Sequence, residues 1–455
     1  MSSTNPVRYP DTSSPSTMTK RAWWLVGLNF LLPGSAQVVA GNRRLGRFGL
    51  GATILMWGLG LVLLGMFLFW RTGFYTIFST TISLWVVVAV LVFYGILWLV
   101  LSVNALSLAR VVKAAPVARP FIAGLATVLL VASVGGAGYG AYIAGTASGF
   151  LSEVFVTAPA EPPIDGRYNI MLLGGDAGAD REGLRPDSIS VVSLDVETGA
   201  ATIIGLPRNL EYARFDEGSP LAEVYPDGYG ADGCRVDVCL LNSIYTEVEL
   251  RSPEMYPNAE AEGSAPGIEG MRDAVEGITG LQVQYYALID MQGFSDLIDA
   301  LGGVTITIAE PVPIHADETF TTVAEWIPAG VQHLDGYHAL WYARSRHNTD
   351  DYDRMARQRQ LQEAMLEQFT PANVLSKFQA IAEAGSQVVR TDVPQGSLGY
   401  FVDLATKTRG LAEPFTEVDL VPANGIRPED PDFEYIRQLV QEALVESTPA
   451  PTPAG

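Results

Sequence analysis

Five arginines fall within sixteen residues, at 344, 346, 354, 357 and 359, in the stretch ALWYARSRHNTDDYDRMARQRQ. Guanidinium groups present planar forks of donors that match phosphate oxygens, and a helix N-terminus adds the positive end of its dipole. Such a cluster therefore describes a phosphate or pyrophosphate site. Arg344 and Arg346 stand two apart at the expected end of a strand over 340–344, which would aim both side chains the same way, roughly 6–7 Å apart. Arg354, Gln358, Leu361 and Met365 follow at helical spacing, with Leu366 and Phe369 alongside, so this stripe should face inward. It carries an arginine to a place where an unpaired charge is costly, and something anionic is expected nearby. The competing reading is a structural web of ion pairs with Asp350, Asp351 and Asp353, or solvated charges at a helix start.

A complementary set lies upstream. Asp176 closes the first apolar strand pattern, NIMLLGGD, while Arg185 and Asp187 open the second, RPDSISVVSLD, and Arg208 follows the third, ATIIGLPRN. Two carboxylates at adjacent strand ends can hold a hard cation, completed by water and phosphate oxygens, which is the usual magnesium arrangement. Taken singly, Asp176 and Asp187 read as turn or cap residues. Together with the arginines they point to phosphoryl transfer at a pyrophosphate, with Mg2+ neutralising the departing phosphate.

Other chemistries lack their residues. There is no G-x-x-x-x-G-K-[ST], no G-x-S-x-G and no H-E-x-x-H, and the glycines of LLGGDAG have no following lysine. The histidines at 315, 333, 338 and 347 show no metal-ligand spacing and read as surface or hydrogen-bonded. Cys234 and Cys239 lack the partners a zinc site needs, and whether they form a disulfide is left open.

The elements that must position these residues divide near residue 150. The first 150 residues carry ten Lys and Arg against one acid; with −21 for the whole chain, the remainder carries −30. An apolar, mildly basic part joined to an acidic, soluble part reads as a membrane anchor with a solvated domain, and the acidity argues against a nucleic-acid partner. Apolar runs at about 23–40, 48–70, 78–108 and 120–145 approach the roughly 20 residues that cross hydrocarbon. At least three are spans. The first, broken by Pro33, Gly34, Ser35 and Gln37, either spans or re-enters. Basic clusters at Arg43, Arg44, Arg47 and at Arg110, Lys113, Arg119 belong on the cytoplasmic side, which puts everything after about residue 146 outside a cell membrane crossed several times. The expected divisions are a polar leader (1–21), a membrane region (22–146), a tether (147–166), one domain (167–446) and a disordered tail (447–455).

Within the domain, strand-length apolar runs at 168–173, 188–196, 201–206, 284–289 and 304–308 alternate with helical patterns near 266–279, 293–301, 354–369, 371–388, 394–408 and 431–446. Further strands are expected at 340–344 and 417–421, and 210–265 reads as a long loop insertion. Continuous apolar runs suit strands covered on both faces, so the fold class is a three-layer α/β/α domain with a mixed sheet.

In their order, NIMLLGGD, RPDSISVVSLD, ATIIGLPRN, LLNSIY, ITGLQVQYYALIDMQGFSDLIDALGGV, LDGYHALWYARSRH, DYDRMARQRQ and VVRTDV resemble the LytR-CpsA-Psr family of cell-wall glycopolymer transferases, over about residues 167–422. The resemblance implies an apolar groove for a polyprenyl chain with a pyrophosphate clamp at its mouth. It also implies transfer of teichoic acid or polysaccharide from a polyprenyl-pyrophosphate carrier to a peptidoglycan sugar hydroxyl. By position, Asp176 and Asp187 match the acids placed near magnesium. Arg185, Arg208, Arg344, Arg346, Arg354 and Gln358 match the pyrophosphate contacts, and Asp351 the acid opening the last motif; Arg357 and Asn242 are secondary candidates. Asp176, Asp187, Arg208 and Arg354 are the expected catalytic set. Two departures stand at the mouth: Asn209 replaces the acid of P-R-D, and Leu240, Leu241, Asn242, Ser243 replace K-I-N-A. A non-catalytic binder of carrier or wall polymer, or a carrier pyrophosphate hydrolase using the same residues, would be the other outcomes.

Overall fold

The computed structural model describes residues 8–176, 184–316, 322–345, 351–368, 377, 380–381 and 389–447, with Asp176 described by its backbone alone. The chain divides into two compact units, Met1–Gly149 and Phe150–Gly455.

The first unit is helical: α1 (Pro15–Leu31), α2 (Ser35–Ala40), α3 (Arg43–Phe69), α4 (Arg71–Phe78), α5 (Thr81–Ala109) and α6 (Ala118–Val154), the last running on past Gly149. Three helices are long and apolar enough to cross a membrane, spanning Arg43–Phe69, Thr81–Lys113 and Ala118–Val154. The interrupted first run folds as helix, turn, helix. Gly34 makes the turn at φ +99°, where an added Cβ would sit 2.3 Å from Leu50 N, so only glycine fits. Gln37 is fully buried and donates through Nε2 to Leu101 O (2.6 Å) and Asn29 Oδ1 (3.2 Å), stitching α1 and α2 to α5. Arg21 donates to Leu108 O (2.6 Å) at the carbonyl end of α5, where the helix dipole favours a cation.

The second unit is built on a mixed six-stranded sheet. Its strands are β1 (Arg167–Asp176), β2 (Arg185–Asp195), β3 (Ala201–Leu206), β4 (Tyr285–Asp290), β9 (Val389–Thr391) and β10 (Phe415–Asp419), in the order β10-β3-β2-β1-β4-β9. β1 runs antiparallel to β2 and parallel to β4, and β3 antiparallel to β2 and parallel to β10. On one face Met171, Leu173, Val191, Ile204 and Leu206 bury against α8 (Ser243–Arg251), α9 (Pro266–Thr279) and α14 (Phe433–Ser447), through residues such as Ile244, Met271 and Val440. α9 lies so close to the chain beneath it that a Cβ at Gly277 would fall 2.4 Å from Arg214 O. On the other face Tyr168 and Tyr285 bury against Leu404 of α13 (Leu398–Arg409). A satellite core joins α10 (Met291–Leu301), two-stranded sheets of β5 (Val304–Ile308) with β8 (Gly330–Leu334) and β6 (Val312–Ala316) with β7 (Val323–Ile327), and α12 (Asp351–Gln368).

Several expectations change. Residues 340–344 are helical, part of α11 (Gly336–Arg344), which Asp335 caps by accepting from His338 N (2.9 Å). A short apolar run buried on several sides looks the same in either element. Arg344 therefore ends a helix, and the shared strand face with Arg346 does not form; Arg346 itself lies outside the described residues. The stretch 210–265 is not a plain loop. It contains α7 (Pro220–Val224) and the core helix α8, whose acidic look conceals a buried Glu247 that accepts from Tyr225, from Tyr229 (2.9 Å) and from Arg235 N (2.9 Å). Cys234 and Cys239 in this stretch are disulfide-bonded. The expected tether also engages the sheet end, with Glu161 N donating to Tyr285 Oη (2.8 Å) and Gln395 N to Val156 O (3.0 Å). The expected helix over 371–388 falls almost wholly outside the described residues.

α9 carries a testable electrostatic load. Burial pushes the Glu276 carboxyl up to about 7, against the opposing pull of its hydrogen bond from Val283 N and of Arg272. A carboxyl raised in the folded state favours folding below its unfolded value of 4.5, and that contribution is lost as pH climbs through about 7. Glu276→Gln keeps the acceptor without the charge. It should raise stability at pH 8 by about 1–2 kcal/mol and change it little at pH 4, read by thermal unfolding of the purified chain at both values.

Candidate functional site

Antiparallel pairing of Ile189 with Leu206 makes the start of β2 and the end of β3 leave the sheet at one edge. Asp187 and Arg208 meet there, Nη1 to Oδ1 at 2.6 Å. Asp351, in the first turn of α12, accepts from Arg208 Nε (3.2 Å) and Arg354 Nη2 (3.1 Å), and Arg354 Nη2 also donates to Asp187 O (3.1 Å). Four side chains from three distant segments thus form one ring. Arg354 is 2% exposed, whereas the side chains of Arg208 and Asp187 are each 26% exposed, so the ring is buried at its base and open at its rim.

Beside the ring opens a groove of about 650 Å³. α12 lines it with Arg354, Gln358, Leu361 and Met365, the stripe read from helical spacing, and with Gln362, which that reading did not include. The rest is mostly apolar: Leu172 from β1, Ala287 and Ile289 from β4, Phe294 and Leu297 from α10, Leu340 from α11. Polar groups collect at Asp187, Arg344, Arg354 and Gln358. Gln358 Nε2 donates to Ala343 O (3.1 Å), tying α12 to the end of α11. Arg344 is exposed, with its guanidinium 5.3 Å from the Trp341 ring centroid, so an aromatic face holds the cation at the groove. A slot of this kind suits an amphiphile with an apolar tail and an anionic head.

The other candidates divide. Arg185 pairs in register with Asp176 at the same end of the sheet, and its charge opposes the burial-driven rise of the Tyr229 phenol. The Asp176 side chain, like all of Arg346, lies outside what the structure describes. Arg357 is a brace, donating to Tyr342 O (3.0 Å) and Ser345 O on the far side of α12. Asn242 braces as well: its N–H donates to Arg208 O (3.1 Å) and holds the segment that presents that arginine. Neighbouring Asn209 has a buried Oδ1 with no hydrogen-bond partner among the described residues. Trp341 and the α10 lining went unread in the sequence, because groove-lining apolar residues share the periodicity of core. His333, bonded to Gly302 O (3.0 Å), and His338, bonded to Glu325 and Asp335, follow the hydrogen-bonded reading, while His347 lies outside the described residues.

Among the described residues no group of three His, Cys, Asp or Glu is placed to hold a metal. Magnesium does not require one, since it keeps most of its water and takes substrate oxygens with one or two carboxylates. Asp187, a hard oxygen donor at an open rim, fits that demand.

The LytR_cpsA_psr family model matches residues 153–423. The chain is 29% identical over 322 residues to the cell wall biosynthesis protein LcpA of Corynebacterium glutamicum, covering 63% of this chain and 57% of that protein. It is also 29% identical over 241 residues to the probable cell wall biosynthesis protein LcpB of the same organism, covering 52% and 46%. The chain thus spans about half the length of these curated relatives. The polyisoprenyl-teichoic acid–peptidoglycan teichoic acid transferase TagU of Bacillus mycoides is 23% identical over 270 residues, covering 59% of this chain and 72% of that protein. Among solved structures, B. subtilis TagV aligns with a TM-score of 0.43 at 22% identity, covering 62% of this chain and 98% of that one.

Proposed function

The chain belongs to the LytR_cpsA_psr family, and from that premise we propose that it is a phosphotransferase moving a glycopolymer from a polyprenyl-pyrophosphate carrier to a hydroxyl of a peptidoglycan or other cell-wall sugar. The observation that carries this reading is the apolar groove ending at the ring of Asp187, Arg208, Asp351 and Arg354. The proposal places the domain as a three-layer α/β/α body on the outer side of a membrane that the first unit crosses several times.

The polyprenyl tail lies in the groove, and its diphosphate reaches Arg344 and Arg354 at the mouth. The acceptor hydroxyl attacks the polymer-proximal phosphorus; a new P–O bond to the acceptor forms as the bond to the bridging oxygen breaks, polyprenyl phosphate departs with that electron pair, and the hydroxyl proton passes to solvent. Arg354, fixed in its buried seat by Asp351, already stands where charge develops and needs no rearrangement of its own. Arg208 holds Asp187 and Asp351 at a set spacing. Arg185 and Arg346 are assigned to the same diphosphate. Mg2+, held by Asp187 with Asp176, would supply further neutralisation of the phosphate oxygens.

The test is a labelled polyprenyl-pyrophosphate oligosaccharide incubated with peptidoglycan fragments and the purified chain. Label on the fragment supports transfer, free sugar phosphate would mean hydrolysis, and unchanged lipid would mean binding alone. Asp187→Asn should slow turnover about a hundredfold and flatten its dependence on added Mg2+. A variant with wild-type rate and wild-type metal response would remove Asp187 from the assignment.

A further inference from the structure

α12 has a second occupied-looking wall. Arg354, Gln358 and Leu361 face the groove, while Arg357, Gln360 and Glu363 face a separate cleft of about 810 Å³ bounded by the turn between β5 and β6 and by Trp326 of β7. Its chemistry is unlike that of the groove. Four carboxylates line it against two guanidinium groups, and both arginines are engaged, Arg357 with backbone carbonyls and Arg359 with Glu417 (3.4 Å) and Asp419. Such a lining repels phosphate. Yet Trp326 keeps 48% of its surface exposed beside those acceptors, an apolar face with hydrogen-bonding groups around it. Arg359, 7% exposed, has an Nη1 without a hydrogen-bond partner among the described residues. Burial, then the hydrogen bond with Glu417, pushes the Glu363 carboxyl upward, which lowers the negative charge of the wall.

We propose that this cleft binds an uncharged saccharide strand, one sugar ring stacking on Trp326 while Glu310, Glu363 and Glu417 engage its hydroxyls. Pyranose C–H faces match an indole face, and ring hydroxyls match carboxylates, whereas a phosphate-linked polymer meets repulsion. The strand is separated from the diphosphate mouth by one helix. Binding here stands apart from the transfer reaction, because it is read without turnover.

The experiment is saturation-transfer NMR titration of the full chain in lipid nanodiscs with chitotetraose, mannotetraose and a glycerol-phosphate tetramer. At least one neutral tetrasaccharide should bind, Trp326→Ala should weaken it about tenfold, and Trp326→Phe should retain it. Preference for chitotetraose identifies an N-acetylated wall glycan as the source, and preference for mannotetraose a neutral polymer; either supports the cleft. Failure of both sugars to bind, indifference to Trp326→Ala, or equal binding of the glycerol-phosphate tetramer would overturn it.

Discussion

Arg354→Ala should lower glycopolymer transfer about a thousandfold while the chain stays folded. The size follows from what this side chain does at once. It is the most buried cation of the mouth, its Nη2 reaches both Asp351 and the carbonyl of Asp187, and it lines the groove where an anionic head would rest. Folding survives because Asp351 keeps its second partner, Arg208, and because its side chain is 21% exposed, so water can solvate the oxygen that is released. Arg354→Lys restores the charge but not the fork, and should recover only part of the rate. Equal thermal unfolding of the three proteins, alongside transfer assays, separates loss of chemistry from loss of structure. Full activity of Arg354→Ala would end the clamp assignment.

Much of this ring is legible in the sequence, for reasons that differ by residue. The strands carrying Asp187 and Arg208 are continuous apolar runs, a pattern strong enough to locate β1 to β4 within a few residues. The α12 stripe was legible because 354, 358, 361 and 365 keep helical phase. α11 was misread because Leu340, Trp341 and Ala343 line the groove while Ala339 and Tyr342 sit in the satellite core, leaving no polar face to reveal a helical period. The short hairpin strands β6 to β8 escaped since β7 exposes Ala324, Glu325 and Trp326 in succession, which breaks strand alternation. α8 was hidden by Glu247, whose burial depends on two tyrosines from a distant turn. The groove itself has no signature of its own: Leu172, Ala287 and Leu361 are core residues in composition, and only the failure of the first two, neighbours on the sheet, to meet the third on α12 makes a cavity.

That failure gives the second large effect, and it separates tail from head. Ala287 on β4 lies beside Leu172 on β1 in parallel register, and both line the groove. Ala287→Phe would set a benzyl group into the groove where the proposed isoprenoid tail would lie. At about 0.8 kcal/mol for each methylene kept out of the groove, excluding even a few isoprene carbons should weaken the long-chain carrier a hundredfold or more. Transfer from that carrier should fall in proportion. Ala287 is half-buried and faces open groove space, so the larger apolar side chain meets no packed core and the thermal midpoint should hold or rise. A water-soluble donor with a short prenyl tail, too brief to reach Ala287, should keep its wild-type rate in this variant, yet lose it in Arg354→Ala, which strikes the head whatever the tail. If both donors fail alike in Ala287→Phe, the groove does not hold the tail; if the long-chain carrier is unaffected, the tail lies elsewhere on the domain.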